Sequence, residues 1–131
     1  MKERKVAIET SCVQGGYSPA SGEPRQIPIV QSTTYVYDST ADVAAVFDEP
    51  TQSLIYSRFA NPTVMAVEEK IAALEGGVGA MCTTSGQAAS MMSILNIAKA
   101  GDSIVASSQI YGGTVNLLSF TLKKLGIECI F

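Results

Sequence analysis

The strongest constraint in this sequence is a change of grammar at Asn61-Pro62. From there on, Val64, Val67, Ile71 and Leu74 recur at helical spacing until Gly76-Gly77 stops the run. Asn61 is the residue type that caps a helix, with Pro62 at the first helical position. Residues 78–83 then read as a short buried strand, 86–99 as a helix, 104–107 as a second strand and 114–125 as a further helix. Lys123 and Lys124 suit the negative end of that last helix, Gly126 closes it, and residues 127–131 begin a third strand. Strands and helices alternating at these lengths imply βαβ units with right-handed crossovers. Three strands are fewer than such a sheet normally has, so the expectation is an incomplete α/β domain over 62–131.

Residues 1–61 follow other rules. Gly15-Gly16, Ser18-Pro19, Gly22, Pro24 and Pro28 punctuate the segment, and the missing proline amides oppose long helices and central strands. Residues 29–37 are β-prone, and Ser39 or Thr40 can cap a short helix through Val43, Val46 and Phe47. Such a segment has little core of its own. It is expected to lie as an extended arm on another surface, a neighbouring subunit being the natural one.

Composition narrows the chemistry. The 131 residues fit one ordinary domain, and with 47% hydrophobic and 16% charged residues the chain is too apolar for intrinsic disorder. It has no His, which removes imidazole-based catalysis and His-ligated metals, and no Trp. A net charge of −3 argues against nucleic acid as a partner. Cys12, Cys82 and Cys129 form no C-x-x-C pair, which speaks against a zinc site or disulfide framework and for a reducing, cytoplasmic setting. No apolar run is long enough to cross a bilayer, and the charged start at residues 1–5 does not read as a signal peptide. Chemistry must come from Tyr, Ser, Thr, Arg, Lys or a cofactor.

Three stretches carry candidate chemistry. Thr83-Thr84-Ser85-Gly86-Gln87-Ala88-Ala89 opens a helix whose first amides lack intrahelical partners, so it offers a place for a phosphate. The same residues also make a well-capped helix with small side chains for close packing. It is neither a P-loop nor a dinucleotide fingerprint. Tyr111-Gly112-Gly113-Thr114 opens the next helix, either as an aromatic face beside that site or as a tight glycine turn. In Tyr56-Ser57-Arg58-Phe59-Ala60-Asn61-Pro62-Thr63, an extended chain would point Tyr56 and Arg58 the same way, giving a phosphate-matching guanidinium and a phenol. The alternative is a surface arginine before a helix cap. Taken together, the stretches suit a planar phosphorylated cofactor.

YSRFANPT, the following EEKIAALEGG, TTSGQAA and YGGT, in this order and spacing, resemble the Cys/Met-metabolism pyridoxal-phosphate enzymes of fold type I. The resemblance covers essentially the whole chain, including PIVQSTTYVYDST. Within the family, Gln87 is most similar to the O-acetylhomoserine sulfhydrylase group. The resemblance implies a three-layer transferase-like fold, here an N-terminal arm (1–61) plus the first βαβαβ of the large cofactor-binding domain (62–131). It implies that Gly86 and Gln87 give backbone amides to the phosphate of pyridoxal 5'-phosphate. Tyr111 would stack on the pyridine ring and assist proton transfer or leaving-group departure. Tyr56 and Arg58 would reach the phosphate of the neighbouring subunit's cofactor, in a dimer of active dimers.

The implied reaction is γ-replacement, in which O-acetylhomoserine and sulfide give homocysteine and acetate for methionine biosynthesis. The family's cofactor-bearing lysine is expected beyond residue 131. Lys70 and Lys99 on helices, and Lys123 and Lys124 at a helix end, read as solvated surface charges. The expectation is therefore that the 131-residue chain alone does not turn over, and no metal is called for. Two other readings remain: a relative of the cystathionine γ-synthases, γ-lyases or methionine γ-lyases, and a non-catalytic binding or assembly fragment.

Overall fold

The computed structural model describes residues 6–48 and 54–131; the start at residues 1–5, read above for targeting, lies outside the described residues. The chain divides into two compact units, Met1–Cys82 and Thr83–Phe131.

In the first unit, helix α1 spans Ile8–Gln14, α2 Thr40–Asp48 and α3 Pro62–Glu75. Helix α1 departs from the irregular reading of residues 1–61. Its seven residues hold no glycine or proline, and the helix ends at Gly15. Helix α2 matches the expectation: the Ser39 hydroxyl accepts from the Asp42 amide at 3.1 Å and donates to the Asp42 carboxylate at 2.7 Å. Helix α3 starts and stops where its punctuation says. Asn61 Oδ1 accepts from the Thr63 amide at 3.0 Å and from Val64 at 3.4 Å, and Gly76 closes the helix at φ 66°.

The buried face of α3 differs from the expected one. Val64, Val67 and Ile71 are half-exposed, whereas Ala66 and Ala72 are buried. The reason is a close backbone approach. A Cβ on Gly16 (φ +81°) would collide with the Ala66 carbonyl and stand 2.8 Å from Lys70 Cβ, so only glycine lets this loop lie on the small-residue face. Residues 29–37, expected to be extended, form no strand; among the described residues they make a single antiparallel bridge, Thr34 to Tyr56. Residues 78–83 are not a strand. They have no ladder partner among the described residues, and Val78 and Met81 are exposed.

In the second unit, α4 (Gly86–Ile97) leads to strand β1 (Ser103–Val105). A continuous helical run follows: α5 (Gly112–Asn116), a π-helical turn (Leu117–Thr121) and α6 (Leu122–Lys124). Strand β2 (Glu128–Ile130) then pairs parallel with β1, Ile104 opposite Cys129. This is one βαβ unit of the predicted kind. Its core is Leu118, Leu122 and Ile127, all nearly free of solvent, with Ile94, Ala98, Ile104 and Cys129 packed around them. Burying Leu122 alone contributes about 1.5–3 kcal/mol. Of the three expected strands, two therefore form a ladder.

Candidate active site

The N-terminus of α4 is built by small hydroxylic residues. Ser85 is extended (φ −163°, ψ 158°), and its Oγ accepts from the Ala88 amide at 3.1 Å while its carbonyl accepts from Ala89 at 3.0 Å and from Thr83 Oγ1 at 2.9 Å. The amides of Gly86 and Gln87 precede the first intrahelical bond, and among the described residues no acceptor takes them. The space beside Gly86 is open for 4 Å around a would-be Cβ. The helix dipole thus meets an uncrowded pair of donors.

Tyr111 sits immediately before α5, its carbonyl accepting from the Thr114 and Val115 amides at 2.8 and 3.1 Å. Its side chain is 77% exposed, and one edge of the ring lies over Gly113. A Cβ on Gly113 would stand 2.5 Å from Tyr111 Cε1 and 2.6 Å from Gln87 Nε2. The Gln87 carboxamide and the Tyr111 ring therefore both close on Gly113, and a larger residue there would have to displace one or both. Gln87 Oε1 is buried without a hydrogen-bond partner among the described residues. An orphaned acceptor of this kind costs about 1–3 kcal/mol, and the donor it awaits fits a bound polar group.

The first unit presents Tyr56 and Arg58. Residues 56–59 are a turn, with the Phe59 amide on the Tyr56 carbonyl at 2.8 Å, and not the extended chain assumed from the sequence. Sequence spacing therefore gave the wrong reason for their proximity. The Arg58 guanidinium instead curls over the rings, 4.8 Å from the Phe59 centroid and 5.6 Å from that of Tyr56. Polar lacing holds the turn. Asn61 Nδ2 donates to the Val30 carbonyl and to Ser57 Oγ, each at 3.0 Å; Ser57 Oγ donates to the Ser32 carbonyl; and Thr63 Oγ1 donates to the Pro28 carbonyl at 2.8 Å.

The structure thus brings Gly86, Gln87 and Tyr111 together in one unit and Tyr56 and Arg58 together in the other. Sequence reasoning missed Gly113 as the seat for Gln87 and Tyr111, although the paired glycines were the signal. It also missed Ser57, whose bonds hold the Tyr56–Arg58 turn. Among the described residues no three His, Cys, Asp or Glu side chains cluster to hold a metal, and no helix is long and apolar enough to cross a membrane.

The likeness to solved structures places this α/β arrangement among the pyridoxal-phosphate-dependent enzymes of fold type I. Solved structures share this fold. A candidate O-acetylhomoserine (thiol)-lyase of Campylobacter jejuni superposes with TM-score 0.84 at 36% identity, over 95% of this chain and 31% of that one. It carries N'-pyridoxyl-lysine-5'-monophosphate. The cystathionine γ-lyase of Lactobacillus plantarum, complexed with L-serine, superposes with TM-score 0.78 at 31% identity, over 95% and 30% of the two chains. The chain belongs to the Cys/Met metabolism PLP-dependent enzyme family, whose profile matches residues 9–131. The O-acetyl-L-homoserine sulfhydrylase of Leptospira meyeri is 47% identical over 129 residues, 98% of this chain and 29% of its own. That of Thermus thermophilus is 45% identical, over 96% and 30%. The chain spans about 30% of the length of the relatives it matches.

Proposed function

We propose that this chain is the N-terminal part of a pyridoxal-phosphate-dependent sulfhydrylase that converts O-acetylhomoserine and sulfide to homocysteine and acetate. One observation carries the reading: the chain that holds a free helix end beside an exposed tyrosine is 47% identical over 129 residues to an O-acetyl-L-homoserine sulfhydrylase. The free amide donors and the open space at Gly86 fit the cofactor's phosphate end. When bound, the cofactor supplies an electron sink for loss of the substrate's protons.

In this reading the Gly86 and Gln87 amides hold the phosphate, and the Tyr111 ring covers the pyridine. The Tyr111 hydroxyl would give or take a proton as acetate departs. Tyr56 and Arg58 bind the phosphate of the neighbouring subunit's cofactor in a cytoplasmic homotetramer of two active dimers, with the 1–61 arm embracing that subunit. Among the described lysines, Lys99, Lys123 and Lys124 are exposed, and Lys70 is half-buried against the Gly15-Gly16 turn. The cofactor-bearing lysine belongs to the part of the protein beyond residue 131, and the 131-residue chain by itself does not turn over.

The test is an assay of the full polypeptide with O-acetylhomoserine and either sulfide or cysteine. Homocysteine formed with sulfide supports the reading, and Tyr111→Phe should lower kcat while leaving the protein folded. Preference for cysteine would move the protein to the cystathionine γ-synthase or γ-lyase relatives, a reading favoured by the L. plantarum likeness. Turnover by the 131-residue chain alone would overturn the need for a distant lysine. A full polypeptide that shows no visible absorbance with pyridoxal phosphate would leave a non-catalytic assembly module.

A further inference from the structure

One cavity in the first unit lies apart from the candidate active-site residues. It is bounded by the end of α1, the loop that follows, and α3, and has a volume of about 170 Å³. Arg25 and Lys70 both line it, with Tyr17, Gln14 and Gln26, and no carboxylate is among its lining residues. In a chain with net charge −3, two cationic residues lining one cavity, with no acid among its lining residues, need an explanation.

Among the described residues, neither cation has a local partner. Lys70 has Ala66, Val67, Ala73 and Leu74 at its i±3 and i±4 positions, so α3 offers it no ion pair. The acid nearest Arg25 in sequence is Glu23, whose Oε2 accepts from the Ala20 amide at 2.9 Å and which lies close to Tyr17. The wall is also held in place. Gly16 seats the loop on Ala66 and Lys70, where any larger residue would strike the helix, and Gly15 lies along the Lys70 stem. At the other end, the Tyr17 hydroxyl donates to the Pro24 carbonyl at 3.2 Å, which closes the loop just ahead of Arg25. Burial, with Glu23 adding to it, holds the Tyr17 phenol above its ordinary range, so it stays a neutral donor.

We infer that this cavity is a binding site for a compact oxyanion, a phosphate or carboxylate group held between the Arg25 guanidinium and the Lys70 ammonium. A guanidinium can supply a planar pair of donors and an ammonium a point charge, and Gln14 and Gln26 line the same cavity. The ligand is a small free anion, because the cavity is sized for one and closed on the α1 and α3 sides.

The test is isothermal titration of the full chain at low ionic strength with inorganic phosphate and, separately, with acetate. The parent should bind one of them saturably. Arg25→Gln and Lys70→Met should each weaken binding about tenfold, the effect of losing one charge-assisted bond, while Lys70→Arg should stay within about threefold. The stem of Lys70 is kept in both variants, and circular dichroism verifies the helices. Tighter phosphate than acetate assigns a tetrahedral ligand; the reverse assigns a carboxylate. Gly86→Pro separates this site from the α4 end, since proline is tolerated at the first helical position but removes an amide donor there. Binding lost in Gly86→Pro and unchanged in Lys70→Met puts the anion on α4 and overturns the inference. No saturable binding of either anion overturns it too, and neither result bears on the sulfide assay.

Discussion

The two units of this chain hold their candidate residues by different physics. Residues 83–131 are organised by an apolar cluster, in which Leu118, Leu122 and Ile127 gather a helix and two parallel strands, and Gly86, Gln87 and Tyr111 ride on elements packed around it. Residues 6–48 and 54–82 bury little apolar surface: Ala60, Ala66, Ala72 and Asn61 are the buried residues there. Side-chain bonds to backbone do the holding instead, from Asn61, Ser57, Thr63 and Tyr37, the last donating to the Leu54 carbonyl at 2.6 Å. One site therefore depends on shape and the other on a small number of directional bonds. The first should fail when volume is removed, the second when a single polar atom is removed.

Leu122→Ala gives the largest effect. It opens a cavity at a fully buried position and should cost about 2–5 kcal/mol. Hydrogen exchange should show the amides of α4, β1 and β2 losing protection while those of α3 keep theirs. Equal loss in α3 would show that the contrast between the units is wrong. Asn61→Ala is the reciprocal experiment. It strips the α3 cap and leaves the Val30 carbonyl without its donor, at a cost of about 2–3 kcal/mol. Urea unfolding followed at α3 should report it, with the 83–131 unit unmoved.

This contrast also explains what could be read from the sequence. The second unit was legible in its element types, because apolar periodicity and glycine stops are what a packed βαβ unit is made of. Gly126 closes the helical run at φ +79° much as expected, and Leu118 and Leu122 fill its buried side. The first unit was legible only at its caps, Ser39, Asn61 and Gly76. The apolar stripe of Val64, Val67 and Ile71 correctly announced α3 but misassigned its buried face. Burial there is set by the glycine approach at Gly16, which no periodicity encodes. Residues 78–83 have strand-like composition, yet a strand needs a neighbour to pair with, and composition cannot supply one. The site residues were legible as types in order. What the sequence could not give was the Gln87 carboxamide and the Tyr111 ring both closing on Gly113.

Gly113→Ala sharpens the shape-dependent side of the comparison. The new methyl group must displace the Tyr111 ring, the Gln87 carboxamide or both, at about 1–2 kcal/mol. With no Trp in the chain, near-ultraviolet circular dichroism reports its tyrosines and phenylalanines. The variant should change that spectrum and weaken pyridoxal phosphate binding to the full polypeptide. An unchanged spectrum would mean that Tyr111 is not seated on Gly113.

The smallest effect is a pH dependence confined to the second unit. Cys129 lies on β2 beside the Leu118–Leu122–Ile127 cluster, and burial raises its thiol above the ordinary 9.0. The folded state therefore keeps this proton in a range where the unfolded chain releases it. The stabilising contribution is complete below pH 9.0 and is lost as the pH rises through the raised value. Denaturant titrations from pH 8 upward should show the unit of residues 83–131 weakening across that interval, and Cys129→Ala should flatten the slope. If Cys129→Ala leaves the slope as it was, then the titrating group is not the thiol packed on the apolar cluster, and its burial is not what distinguishes the second unit's response to pH.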